Sequence, residues 1–514
     1  MPLGYFTING DLFNVPAGPV SFAAGGEYRG ERWRSDPSSE QTTFDAGVAG
    51  ANTEAARVNR DVWATYQEVR LPVTSPLWNF PGAYSLEFDV AEREEWYSQN
   101  TSAVLPVLAL PFVPAGHSTY DAQKPKFSVR WQPLDPKWIG ALTLRGSYSE
   151  AFHAPTLPDL PPVGVEVALT FGEFGLHDPR GLTPNGTSVP VVASGNSNAK
   201  PEVAYEWTYG AVYSPKWIKG LTLSADFWHI DLRSLLAGVS LQFILDFENS
   251  FPGIVIRNPT TGAVTAISAP SFNLSQAIVE GNDYEAIYVL DSSIFGHGDL
   301  GRLTFTLNGT YLSRFEFQAT PFSKRIGISG EFVSGAAFTG SLPHNRAYAS
   351  LFYDGPADTW LAGFDTGATV HYTGQYEDDN IALTRFSKPQ EPRSGLLPWR
   401  ARKVSEWVTL DLLASYTFNL PPPAPAAVPG LAKDGGKNVK TKDGNEKNVI
   451  PISTAEYNPC GWRSWLNNTT LTLGIQNVLD TDPPFVAGAF QNNYDQSIST
   501  IRGRFWYAQL KKRF

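Results

Sequence analysis

Apolar and polar residues alternate along many segments of ten or more residues. From Leu303 to Tyr311 the chain reads LTFTLNGTY, so the large apolar side chains fall on one side of an extended chain and the threonines and asparagine on the other. Because successive side chains of a strand point to opposite faces, this pattern predicts strands with one apolar and one polar face. We expect about fifteen strands, near residues 4–13, 18–30, 60–72, 82–97, 122–134, 138–151, 203–215, 219–232, 281–294, 300–317, 343–354, 358–375, 403–419, 467–478 and 502–514.

The connections between these segments alternate between short and long. Short turns rich in Pro and Gly, such as 214–220 and 353–358, are followed by long polar stretches. The long stretches lie near 31–59, 98–121, 152–202, 233–280, 318–342, 376–402 and 479–501. Because consecutive antiparallel strands reverse direction, all long stretches are predicted at one end of a single sheet. This asymmetry is typical of outer-membrane barrels, and a soluble β-sandwich, the alternative, rarely needs it.

Composition excludes several other classes of protein. Lys and Arg number 40 against 50 Asp and Glu, and the net charge of −10 argues against a nucleic-acid binder. A single Cys excludes a disulfide scaffold and a cysteine-based zinc site. The longest apolar run, near 103–116, is interrupted by prolines and is too short to cross a bilayer as a helix. The first residues, MPLGY, lack the pattern of a signal peptide, so we expect none in this chain.

Two near copies of one motif open strands after short turns. They read PKWIGALTL from Pro136 and PKWIKGLTL from Pro215. We expect Trp138 and Trp217 to lie at one membrane–water interface, where an amphipathic indole ring is favoured. The alternative is a repeated hairpin turn with a packed tryptophan, and both interpretations predict the hairpin.

Four blocks of sequence carry a resemblance to a known family. The last strand, 502–514, resembles the signal by which outer-membrane barrels are recognised for insertion, although Lys512 replaces the usual apolar residue. The apolar residues on one face of this strand are Trp506, Ala508, Leu510 and Phe514. The other blocks are LRGSYSEAFHAPTLPDL from Leu144, AKPE from Ala199 and NVLDTDPP from Asn477. In order and spacing the blocks resemble the C-terminal barrel of TonB-dependent outer-membrane receptors over essentially the whole chain.

The resemblance implies an all-β, membrane-spanning antiparallel barrel of about 22 strands around an N-terminal plug, in the outer membrane of a Gram-negative bacterium. Counted back from Phe514, the fifteen predicted strands correspond to the family's strands 8 to 22. We therefore expect residues 1–514 to form the C-terminal part of such a barrel, with the plug and first strands missing. An odd strand count would leave two unpaired sheet edges.

The resemblance also implies a function and a set of partners. The complete receptor would import a nutrient, such as a siderophore or a carbohydrate, actively across the outer membrane. The implied partners are outer-membrane lipid, the barrel-assembly machinery, the small nutrient, and TonB only through the missing plug. Two alternatives remain at this point: a secreted soluble β-sandwich that binds carbohydrate, and a non-functional receptor remnant.

The sequence contains no motif that indicates an enzyme, a cofactor or a metal site. GHGDLG at 296–301 satisfies GxGxxG, but no helix or βαβ unit is predicted there, so a hairpin turn is the better interpretation. No GxSxG, HExxH or P-loop occurs, and the seven histidines are scattered. His177 lies between the block that begins at Leu144 and the block that begins at Ala199, where haem receptors of this family carry a ligand histidine. The alternative is an ordinary loop histidine.

Ligand contacts are expected on the long loops. Loop residues that could contact a sugar or a siderophore are Phe171, Phe174, His177, Tyr376, Phe386 and Trp399. Some charged residues alternate with apolar ones in the strands and would therefore point into the barrel: Glu87, Asp89, Arg130, Arg145 and Asp226. They could form a polar transport path or a surface on which the plug docks. The alternative is that they only make the lumen wall polar, as in any such barrel. The Pro-rich and Lys-rich stretch 420–466, which contains Cys460, is predicted to be a flexible insertion on the periplasmic side.

Overall fold

The main sheet contains fifteen strands that follow one another in chain order, and a sixteenth, short strand (Ile326–Gly327) that pairs beside this path. The computed structural model describes residues 2–36, 38, 55–103, 116–161, 164–172, 176–238, 240–291, 300–334, 339–356, 359–378, 402–418, 465–486, 489 and 492–513. The strands of the main sheet are β1 (Leu3–Val15), β2 (Gly18–Ser35), β3 (Ala56–Thr74), β4 (Ser85–Ala103), β5 (His117–Gln132), β6 (Gly140–His153), β9 (Glu202–Pro215), β10 (Leu221–Ala237), β13 (Phe272–Asp291), β14 (Arg302–Gln318), β18 (Asn345–Asp354), β19 (Phe364–Thr373), β22 (Trp407–Phe418), β23 (Thr469–Gln476) and β24 (Phe505–Lys512). Each of the fifteen predicted segments coincides with one of them.

Shorter elements lie mainly in the connections between these strands. The short strands are β7 (Gly164–Thr170), β8 (Ser188–Ser194), β11 (Val255–Arg257), β12 (Val264–Pro270), β15 (Ile326–Gly327), β16 (Phe332–Ser334), β17 (Thr339–Ser341), β20 (Tyr376–Asp378) and β21 (Arg402–Val404). Short α-helices span Pro136–Ile139 and Leu241–Asp246, and 3-10 turns span Leu157–Asp159 and Glu248–Ser250. In the described part of the chain, no helix is long and apolar enough to cross a membrane.

The largest difference from the predicted boundaries is at β13. This strand begins at Phe272, whereas the alternation placed its start near 281. Its first half pairs with both β10 and β14, although its sequence alternates less regularly there. Backbone pairing with two neighbours therefore extends the strand beyond the region that the pattern identifies.

All neighbours in the main sheet are antiparallel, and β1 and β24 are its two edges. Each of these two strands pairs with one neighbour among the described residues, β1 with β2 and β24 with β23. With fifteen alternating strands, β1 and β24 run in the same direction. An antiparallel pairing between these two edges is therefore excluded by strand direction alone.

One face of the main sheet remains apolar and exposed. The side chains of Phe88, Leu223, Leu473 and Leu510 are 43%, 40%, 55% and 60% exposed, and other large apolar residues behave in the same way on most of the strands. In a β-sandwich, these side chains would be buried against a second sheet. The soluble β-sandwich alternative is therefore wrong, and the exposed face is the one that a bilayer would cover.

Tryptophan side chains border the apolar face at both ends of the strands. The first belt lies in the turns that follow β3, β5, β9 and β18 and in the segment just before β23. Its five tryptophans are 45–85% exposed: Trp78, Trp138, Trp217, Trp360 and Trp465. The second belt contains Trp63 and Trp96, which are cross-strand partners. Eleven residues separate Trp63 from the end of β3, or about 28 Å along the membrane normal for a strand tilted by roughly 40°. That distance is close to the thickness of a hydrocarbon core.

Candidate functional site: the polar face and the loop cap

One row of residues crosses ten neighbouring strands, from β4 to β22, on the face opposite the apolar one. We call this side of the sheet the polar face. In strand order the row contains Glu87, Arg130, Arg145, Gly210, Asp226, Asp283, Thr310, Arg346, Thr373 and Trp407. Arg130 Nη1 lies 3.3 Å from Glu87 Oε1. Arg145 holds Asp226 with two bonds, of 2.5 and 2.7 Å. The charged residues that the alternation predicted to share a face do share it.

A cavity of about 730 Å³ lies on the polar face over β2 to β6. At its wall, Arg29 contacts Glu27 and Glu31 at 3.0 Å each and Glu95 at 3.3 Å. Arg93 contacts Glu27 at 3.2 Å and Glu95 at 2.5 Å. Each guanidinium therefore has more than one carboxylate partner, and with Arg60, which contacts Glu31, the network contains three arginines and three glutamates. Such a network stabilises the wall and leaves little free charge for a ligand.

Arg60, on β3, extends this network to the connection that follows β6. Its side chain is 5% exposed. Nη2 donates to the carbonyl of Pro155 at 2.6 Å, and Nε donates to Oε1 of Gln99 at 3.0 Å. Nη1 lies 3.4 Å from Glu31, and the guanidinium carbon lies 5.7 Å from the ring centroid of Tyr97. Arg60 thus joins three strands and the start of a long loop.

Two long connections, 154–201 and 238–271, form a small sheet of their own. Its strand order is β11-β12-β8-β7, and the parallel pairing of β12 with β8 joins the two connections. We call this unit the loop cap. Its buried apolar core consists of Phe171, Leu176, Val189, Val191, Ile244, Leu245, Ile254, Val255, Val264 and Ile267. The sequence predicted only long polar stretches here, because these apolar residues come from distant parts of the chain and show little periodicity.

A buried ion-pair cluster fixes the loop cap. Arg257 donates to both oxygens of Asp178, at 2.8 and 3.0 Å, and to Glu248 at 2.8 Å. The side chains of Asp178 and Arg257 are 0% and 10% exposed. The hydroxyl of Thr183 donates to Asp178 at 2.8 Å. The guanidinium of Arg257, together with this hydroxyl, holds the pKa of Asp178 well below its usual range.

The loop cap should loosen in acid. Because the pKa of Asp178 is lowered in the native state, its ion pair contributes fully above the ordinary carboxyl pKa of 3.8 and is lost as the pH falls through the native pKa. Hydrogen exchange measured by mass spectrometry should show lower protection factors for peptides within 176–201 and 240–271 at pH 2 than at pH 7. Asp178→Asn should already show reduced protection at pH 7, whereas the exposed Asp246→Asn should not. Equal protection at the two pH values in the native chain would contradict this role.

The described ligand candidates from the sequence do not meet in one site. Phe171 is 1% exposed in the core of the loop cap. Tyr376 is 4% exposed and packs with Phe332, Val404 and Val486. Both rings were expected on ligand-facing surfaces, and the structure instead uses them for packing. Burial raises the pKa of the Tyr376 hydroxyl.

The remaining candidates are exposed or lie outside the described residues. His177 is exposed, and its backbone N–H donates to the side-chain oxygen of Gln242 at 2.9 Å. No group of three or more His, Cys, Asp or Glu residues suited to a metal ion occurs in the described ranges. Residues of the sequence analysis that fall outside those ranges are Phe174, Phe386, Trp399, Cys460, Phe514, most of GHGDLG and nearly all of the 420–466 stretch.

Comparison with known proteins agrees with this architecture. The sequence model described as "TonB dependent receptor-like, beta-barrel" matches residues 3–478. The chain belongs to this family. It is a family of outer-membrane transport receptors of Gram-negative bacteria. No curated protein matches the sequence.

Several solved structures are similar to this chain at low sequence identity. The siderophore receptor PirA from Acinetobacter baumannii is 12% identical, with a TM-score of 0.50 over 100% of this chain and 62% of that one. A ferric enterobactin receptor mutant (PfeA) from Pseudomonas aeruginosa is 14% identical (TM-score 0.45; 99% and 62% covered). The FrpB iron transporter from Neisseria meningitidis is 12% identical (TM-score 0.47; 98% and 53% covered). The chain spans about three fifths of the length of the first two receptors.

Proposed function

We propose that this chain forms the barrel wall and outer loops of a receptor that imports a small nutrient across the outer membrane, using energy relayed by TonB. The observation that carries the proposal is the division of one antiparallel sheet into two faces. One face is apolar, exposed and bordered by two tryptophan belts, and the other carries ion pairs and cavities. Lipid would cover the first face and the transport path would follow the second.

The nutrient is proposed to be a siderophore or a carbohydrate. Family membership supports uptake, and the names of two similar structures include a siderophore receptor and a ferric enterobactin receptor. Contact with TonB would be made through the plug that the family resemblance implies. In this proposal, the loop cap supplies part of the outer surface at which the nutrient first binds, and His177 stays a candidate contact there.

Outer-membrane fractionation tests the proposal. The protein, expressed from its native gene in a Gram-negative host, should be recovered in the outer membrane and should migrate faster on gels before boiling than after it. Deleting Phe514 should reduce the amount inserted, because Trp506, Ala508, Leu510 and Phe514 would form the insertion signal. Gln509→Asn, on the other face of the same strand, is the matched control. Recovery as a soluble periplasmic protein would refute the proposal.

A further inference from the structure

A second cavity, of about 660 Å³, lies on the polar face over β14, β18, β19 and β22. Its floor contains the last residues of the transverse row: Thr310, Arg346, Thr373 and Trp407. Three of these residues lie at the strand ends that adjoin the long connections, namely Arg346 on β18, Thr373 on β19 and Trp407 on β22. Part of the connection between β23 and β24 completes the lining, including Thr500 and Arg502. The cavity is therefore reached from the side of the long loops.

The two arginines in this cavity differ from those in the first cavity. Arg346 and Arg502 are both exposed, and neither forms an ion pair within the described residues. The guanidinium of Arg502 lies over the ring of Phe505, with its carbon 5.1 Å from the centroid, and this contact leaves the N–H groups at its edge free to bind an acceptor. Two guanidiniums that have no carboxylate partner in the described part of the chain therefore line one cavity of a protein whose net charge is −10.

The carboxylate in the cavity lining is already engaged. Asp411 lies 3.3 Å from Nε2 of His371 and accepts a hydrogen bond of 2.8 Å from the backbone N–H of Asn477. It is the one acidic side chain among the described residues that line the cavity. Neither of these contacts involves Arg346 or Arg502.

A buried donor without an acceptor also belongs to this lining. The indole Nε1 of Trp407 is inaccessible to solvent and has no hydrogen-bond partner among the described residues. A buried N–H without an acceptor costs roughly as much as a lost hydrogen bond, so such donors are rare in native proteins. Among the described residues, the cavity lining thus presents two guanidiniums that form no ion pair, together with several hydroxyls. Every unpaired charge in this set is positive.

We propose that this cavity binds a small organic polyanion that carries at least two carboxylate or phosphate groups. Guanidinium groups bind either oxyanion through paired N–H···O bonds, and two of them in one cavity favour a ligand with two such groups. The volume lies within the range of small-molecule sites and exceeds what a single inorganic anion needs. Arg346 and Arg502 would bind the anionic groups. This inference rests on the proposed function and narrows its nutrient to an anionic one.

Isothermal titration of the full chain in non-ionic detergent at low salt tests the proposal, with citrate as the carboxylate probe and pyrophosphate as the phosphate probe. At least one probe should bind, and the preferred one identifies the oxyanion. Arg346→Gln and Arg502→Gln should each weaken binding about tenfold or more, because each removes a charge-assisted contact.

Arg302→Gln is the matched control, because Arg302 lies on the same face at the turn end of β14, outside the cavity, where it pairs with Asp354. It should bind the probe as the native chain does. Heat-modifiable migration of each variant shows that it is folded. Unchanged affinity in a folded Arg346→Gln/Arg502→Gln double variant, or binding of neither probe at millimolar concentration, would overturn the proposal. Outer-membrane fractionation separates the two proposals: a native chain that inserts correctly but binds neither anion refutes the site and leaves the transport function standing.

Discussion

Replacing Arg60 with methionine should lower the free energy of unfolding by about 3–5 kcal/mol, the usual cost of removing one partner from a buried charged network. The side chain is 5% exposed, so water cannot replace its contacts. The change leaves the carbonyl of Pro155 and the amide oxygen of Gln99 without their donor. It also removes a positive charge from beside Glu31, whose contact with Arg29 remains.

The effect should reach the loop that follows β6. Leu160 is fully buried and packs with Val58, two residues before Arg60 on β3. When the bond from Arg60 to Pro155 is lost, the segment from Pro155 to Leu160 has one fewer attachment to the sheet, so protease cleavage there should become faster.

Urea unfolding of the refolded protein in detergent or lipid measures the change in free energy, and limited proteolysis maps its location. Arg57→Met is the matched control, because Arg57 lies on the same strand but on the opposite face and is exposed. Its effect should be within about 0.5 kcal/mol, as for ordinary surface substitutions. Equal destabilisation by the two substitutions would show that the buried contacts of Arg60 do not stabilise the fold.

Replacing Phe305 with arginine should destabilise the protein in lipid by about 1–3 kcal/mol. On the outside of a barrel a cation costs about 2–4 kcal/mol at the bilayer midplane and about 0–1 kcal/mol near the interface, and Phe305 lies between these depths, three residues from the turn end of β14. Phe305 lies on the apolar face of β14, is 40% exposed and pairs with Leu351 and Tyr288 on the neighbouring strands. A guanidinium at this position loses its water unless the side chain reaches the interface or draws water into the membrane.

The adjacent residue on the polar face provides the control for this experiment. Thr306→Arg places the same charge one residue along the chain but on the side that would face the lumen. In liposomes, Thr306→Arg should cost much less than Phe305→Arg, and the difference should shrink in detergent micelles, which deform easily. Equal costs for the two substitutions in liposomes would mean that lipid does not cover the apolar face.

The sequence alone predicted the strands of the main sheet and the face to which their side chains point. Alternation is a local property, since two successive side chains of a strand must point to opposite sides whatever the neighbours do. The same argument placed Arg145 and Asp226 on one face, and the structure shows them ion-paired. The PKWI repeats placed Trp138 and Trp217 in turns on one side of the sheet, and three further tryptophans lie there too.

The loop cap and the second cavity were decided only by the tertiary structure. Phe171 and Val264 are 93 positions apart in the sequence and share a core only because β8 and β12 pair in parallel across two loops. Arg346 and Arg502 belong to different strands and loops, and nothing local indicates that they line one cavity without a carboxylate partner. Strand periodicity reports which side of the chain faces lipid, because that depends on neighbours in sequence. Which distant residues meet depends on strand order and loop packing, and these arise only when the whole sheet has formed.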